Sequence, residues 1–318
     1  MKKNTTIDLN MFLNLAKINR VYVLDVCDYE VTEPAMRYYL KYSSYSDWEM
    51  IQDNRKQGAF LLKYSKLNDV KYLTADILTS IKTPIEKIVA KKLDCDGEYI
   101  VNAILNSPFL ELRDGKGRGR KPKLKIDEKL QLAVKAFAMV CYWVGNTMPT
   151  GSNFSPGNNS AWSNDTWKVK LDEIFSIFNV NEEEWEKMKQ SKIISTIPRR
   201  NEKQKKRWPA WITACWGKNE LDKFVSDNYL QDLVKKEDKK TEVKEIVSED
   251  ITDENEKIKK RFLTNTKIII QRSYRIIFDF KGDWNASKED KENVICIIEY
   301  VYQNAGMDEQ TIKEIELF

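Results

Sequence analysis

Arg113, Lys116, Arg118, Arg120, Lys121, Lys123 and Lys125 fall within thirteen residues, with Asp114 the single acid among them. A second run, Arg199, Arg200, Lys203, Lys205, Lys206 and Arg207, fills nine residues and holds one acid, Glu202. Guanidinium and ammonium groups at this density suit phosphate recognition, because each cation placed on a phosphate releases a condensed counterion. Trp208, Trp211 and Trp216 follow the second run. Basic residues interleaved with exposed aromatic rings fit single-stranded nucleic acid, where bases stack and phosphates pair. The competing reading makes the tryptophans core residues and the lysines a solvated loop.

A second chemistry is metal-assisted phosphoryl transfer. The segment RVYVLDVCDY reads as a short buried strand over residues 21–26 that ends near Asp25 and Asp28. A carboxylate at a strand end is a common magnesium ligand. The same aspartates also serve as caps for a following helix. A cofactor is not required by the sequence, and magnesium enters only if the chain is an enzyme, a point the sequence leaves open.

These groups need elements to hold them. Residues 109–126, FLELRDGKGRGRKPKLKI, read as two extended arms around a flexible basic tip. Within it GRGRKPK resembles the AT-hook, a short Arg-Gly-Arg-Pro peptide of the DNA minor groove. Arg118-Gly119-Arg120 matches, and Lys121 intervenes before Pro122. Gly lets the backbone approach the groove floor, and the flanking Arg side chains enter its negative potential.

Residues 128–144 predict the central helix, apolar nearly all round in its second half and therefore buried. Gly145-Asn146 closes it, since Gly takes the left-handed conformation of a helix end. A polar loop follows, NTMPTGSNFSPGNNSAWSND, and a new helix starts near Asp165. Asn146, Asn153 and Asp165 offer amides and a carboxylate to a polar ligand such as a nucleotide, sugar or peptide. Alternatively the asparagines satisfy the loop's own backbone through Asx turns. Gly145, Asn146, Met148, Pro149, Asn153, Asp165, Leu171 and Ile174 resemble an uncharacterised bacterial domain family with a Gly-Asn-x-Met-Pro turn after an apolar helix. The resemblance implies no activity and points towards mobile elements or phage defence.

The chain has 318 residues, 42% of them apolar, enough for one large domain or two ordinary ones. Charged residues reach 32% with a net charge of only +4, so any nucleic-acid affinity must be local. There is no histidine, which removes His bases, His zinc ligands and Ser-His triads. Five scattered cysteines argue for a reducing compartment. The opening MKKNTTIDLNMFLNLAKIN lacks a long apolar core, and no run approaches about 20 apolar residues. The expectation is a cytoplasmic protein with no membrane partner. Low Gly with abundant Lys, Asn and Ile suits an AT-rich bacterial or phage genome.

The fold expected is mainly α, with a minor β element: the strand at 21–26 and a hairpin at 109–126. Residues 47–92 read as helical, interrupted by Gly58 and Pro84, and 221–234 as one more helix. The division expected is a helical core over 1–234, a charged linker or solvated helix over 235–260, and a C-terminal helical segment, 261–318, packed on the core. Arg272 and Arg275, three apart, are expected on one helix face. The leading function is nucleic-acid binding through the two basic runs, in phage–host conflict. A metal-dependent nuclease or nucleotide-acting enzyme using Asp25 and Asp28 or Asp165 is the alternative. A protein-binding adaptor with an aromatic surface is the second alternative.

Overall fold

A computed structural model describes residues 48–52, 60–64, 72–77, 127–140, 143–151, 166–190, 210–237, 240–245, 250–278 and 287–315. The architecture is mainly α with a minor β part, as the sequence implies. The strand expected at 21–26 and the hairpin expected at 109–126 lie outside the described residues.

Strands β1 (Trp48–Gln52), β2 (Phe60–Tyr64) and β3 (Tyr72–Ile77) form an antiparallel meander. This corrects the helical reading at 48–52, 60–64 and 72–77; residues 78–92 lie outside the described residues. Each apolar run is only five or six residues long, the length of a strand and not of a helix. The fourth strand, β4 (Thr147–Gly151), pairs antiparallel with β3, with Ile77 opposite Thr147 and Leu73 opposite Gly151. From sequence alone these residues read as part of a polar loop. Among the described residues β4 is an edge strand, the part of a sheet where proline is tolerated, which accommodates Pro149.

Helix α1 (Glu128–Val140) begins at an Asp127 cap whose carboxylate accepts from Leu130 N at 2.7 Å. Leu130, Ala133, Val134, Ala136, Phe137, Ala138 and Val140 are buried. A 3-10 turn, Val144–Asn146, then leads straight into β4. Helix α2 (Thr166–Phe178) starts where the sequence reading places it. Helix α3 (Glu182–Gln190) starts at Asn181, whose side chain accepts from Glu184 N at 2.8 Å. Three glutamates in its first turn favour the positive end of the helix dipole.

Helices α4 (Ala210–Cys215) and α5 (Leu221–Asp227) build a second core with α2 and α3. Phe224 is its hub, with ring centroids 4.9 Å from Trp216, 5.4 Å from Phe178 and 6.4 Å from Phe175. Trp216 is buried, and its indole N–H donates to Asp227 at 2.9 Å. That settles Trp216 as a core residue with its polar edge satisfied. Trp208 lies outside the described residues, as does the side chain of Trp211.

The helix expected over 221–234 stops at Asp227. Leu230 N bonds back to Val225 O and Tyr229 N to Ser226 O, the paired bonds of a Schellman ending. Tyr229 occupies the left-handed position with φ 54°. Glycine is usual there, and it is Gly306, at φ 88°, that closes the later helix Lys288–Asn304 by the same bond pattern. After a 3-10 turn (Gln231–Leu233) come strands β5 (Val234–Glu237) and β6 (Lys240–Val243), an antiparallel hairpin. So residues 235–260 hold most of a hairpin and the first turns of the next helix.

Asp222 ties α5 to this hairpin. It accepts from the Thr241 hydroxyl at 2.8 Å and from Lys236 at 3.0 Å. The Thr241 hydroxyl, followed by Lys236, holds the Asp222 carboxyl below its ordinary 3.8. A depressed carboxylate contributes stability that is complete above its unfolded value and lost as pH falls through the lower folded value. Hairpin amides should therefore lose protection, measured relative to the intrinsic exchange rate at each pH, once pH drops below about 3.8, its ordinary value. Asp222→Asn should remove that acid-side response, and an identical pH profile in the variant would reject this attachment.

Helix α6 (Glu254–Phe278) is 25 residues long. Every residue from Ile268 to Ile276 whose exposure is described is buried. It packs on α1, on the Val144–Asn146 turn, and on α7 (Lys288–Asn304). Phe137 of α1 and Phe262 of α6 stack tilted at 5.2 Å. Tyr302 of α7 donates its hydroxyl to Leu263 O at 2.9 Å, and burial pushes its phenol pKa upward. Helix α8 (Glu309–Lys313), capped by Asp308, ends the described chain on α7.

Candidate functional site: a buried arginine junction

The two basic runs each lead directly into a described helix. Lys125 stands two residues before Asp127, the cap of α1, and Arg207 stands three before Ala210, the first residue of α4. Following each path inward reaches one side chain. From α1 the chain enters the Gly145 turn; from α4 it passes Trp216 and α5 to the Asn228 turn. Arg272 of α6 holds both turns.

Its geometry is specific. Arg272 Nη1 donates to Gly145 O at 2.6 Å, while Nε and Nη2 donate to Asn228 O at 3.0 and 2.9 Å. The residue is 1% exposed. A buried guanidinium loses its hydration, a loss that must be offset by hydrogen bonds and opposite charge. Here it meets one carbonyl oxygen in the Val144–Asn146 3-10 turn and one at the C-cap of α5, where the backbone dipoles present their negative side. The planar fork reaches two acceptors on different chain segments at once.

Gly145 is fixed from the other direction too. Its N–H donates to the Ser273 hydroxyl at 2.8 Å. A Cβ at this position would collide with the Ile269 carbonyl oxygen and the Ser273 hydroxyl, and would lie 2.6 Å from Ser273 N. Only glycine lets the turn lie this close to α6.

One turn along α6, Arg275 is 0% exposed and pairs with Asp232 at 2.6 Å. Asp232 Oδ2 and Gln231 Nε2 are buried, with no hydrogen-bond partner among the described residues. The two arginines do share a helix face. That face is buried, which three-residue spacing alone did not indicate.

The residues singled out in the sequence fall unevenly. Asn146 is 0% exposed and sits in the turn against α6. Arg113, Lys116, Arg118, Arg120, Lys121, Lys123, Asn153, Asp165, Arg199, Arg200, Lys205 and Arg207 lie outside the described residues, as do Asp25 and Asp28. Among the described residues no group of three or more His, Cys, Asp or Glu is placed to hold a metal ion, and no helix is long and apolar enough to cross a membrane. The chemistry of the junction is positioning: it fixes backbone turns. Ser273 and Asn228 were absent from the sequence reading, and no local pattern marks either, because their partners are more than forty residues away.

Comparisons with protein-family models, with curated proteins and with solved structures each found no match.

Proposed function

We infer that the protein binds nucleic acid through residues 113–125 and 199–207. The observation that carries this reading is charge segregation. The first run is net positive by six and the second by five, in a chain whose net charge is +4, so the remainder is net negative by seven. Cations concentrated in two short runs on an otherwise acidic chain make a local phosphate-binding surface and not a general polycation. Helix α1, which follows the first run, packs on α6, and α4, which follows the second, packs on α3, so both runs lead into packed helices. Composition and the loop resemblance add the finer proposal of a bacterial cytoplasmic role in phage–host conflict.

Binding of a fluorescent oligonucleotide, followed by anisotropy across a salt series, tests it. For six to ten neutralised phosphates, affinity should fall roughly 10³- to 10⁵-fold between 50 and 200 mM salt. The double charge reversal Arg118→Glu with Arg120→Glu should abolish binding at 100 mM salt. Unchanged affinity in that variant, or no binding by the native chain at 50 mM salt, overturns the proposal.

A further inference from the structure

We propose that the Gly145 turn and the Asn228 turn open as one unit, because Arg272 is a shared clamp on both. The guanidinium gives one bond to Gly145 O and two to Asn228 O. If either turn leaves, a buried cation loses bonds that water cannot replace unless the site opens further. Hydrating Arg272 in turn strips the remaining turn of its donor. The two events therefore favour each other, which is the physical basis of a local cooperative unit.

What the unit would link is specific. The Gly145 turn runs directly into edge strand β4, and the Asn228 turn runs through one 3-10 turn into hairpin β5–β6. Neither strand set is hydrogen-bonded to the other. Arg272 gives them a common hinge, so a ligand that orders one turn also raises the order of the other.

Amide hydrogen exchange of the full chain tests this at Gly145, Asn146, Tyr229 and Leu230. All four amides donate within the structure, so all report opening. In a sub-denaturing denaturant series the four should share one opening free energy and one slope, both below those of Ile269 and Ile270 in α6. Different isotherms for the two turns overturn the proposal, and so does coincidence of all four with global unfolding. A variant adds a second reading. Asp227→Ala removes the acceptor of the Trp216 N–H beside the Asn228 turn, on a chain segment remote in sequence from Gly145. Exchange should rise roughly tenfold, the size expected from one lost charged hydrogen bond, at Gly145 and Asn146 as well as at Tyr229 and Leu230. The amides of α7 should stay unchanged. A rise confined to Tyr229 and Leu230, or one that spreads equally to α7, overturns it.

Discussion

Gly145→Ala should lower stability by roughly 3–5 kcal/mol, at the upper end for a single substitution. Two of the three atoms that the added methyl meets belong to the α6 backbone, at Ile269 O and Ser273 N. Backbone cannot rotate away as a side-chain tip can. Nor can α6 retreat, since every described residue of its surface from 268 to 276 is buried. The turn itself would have to lift, breaking the bonds from Gly145 N to Ser273 and from Arg272 to Gly145 O. Gly217→Ala is the matched control. There a Cβ meets only the Glu220 side chain at 3.5 Å, an ordinary contact, and the change should stay within about 0.5 kcal/mol. Urea denaturation of both variants measures the difference. Equal midpoints would show that the turn does not lie as close to α6 as described.

Arg272→Lys should cost roughly 2–4 kcal/mol, despite preserving the charge. A lysine ammonium is a single point on a flexible stem, whereas the native fork bonds Gly145 O and Asn228 O from different nitrogens. Lysine would satisfy one turn and leave the other carbonyl buried and unpaired. It would also place a more strongly hydrated cation in the same dry site. Thermal and urea unfolding give the size of the loss. A lysine variant within about 0.5 kcal/mol of the native chain would mean that charge, and not the fork, holds the junction.

How far the sequence reveals this architecture depends on where the partners lie. The start of α1 at Glu128 and the start of α2 after Asp165 are local events and are legible. The expected left-handed stop at Gly145 is not what forms: α1 ends at Val140, and Gly145 lies in a 3-10 turn without positive φ, placed by its contacts with α6. The strands β1 to β3 are not legible, because runs such as WEMIQ and FLLKY fit either period until pairing decides. The hairpin β5–β6 reads as a linker because its strands are four residues long and largely charged. Val234 and Val243, which face each other across the pair, are its apolar anchors. Pairs such as Lys235–Glu237 and Lys240–Glu242 look from sequence like a solvated run. The junction is the least legible part. Arg272 looks like any surface arginine until Asn228, 44 residues away, and Gly145, 127 residues away, are brought to it. Tyr229 misleads in the same way: a sequence reader expects glycine at a left-handed helix end, and here a buried tyrosine ring keeps the position.

The position of α6 along the chain has a consequence for biosynthesis. The helix that supports α1 and both clamped turns lies at residues 254–278, long after the parts that rest on it. When residue 145 leaves the ribosome, Arg272 is 127 residues from being made. At synthesis rates of about 5–20 residues per second, that is a delay of roughly 6–25 s. Throughout it Leu130, Val134 and Phe137 have no α6 to bury them, and Gly145 is an unanchored turn. The nascent chain therefore carries an exposed apolar helix for the 127 residues of synthesis that separate Gly145 from Arg272, a natural client for a chaperone, and this part of the fold closes late, from its C-terminal side.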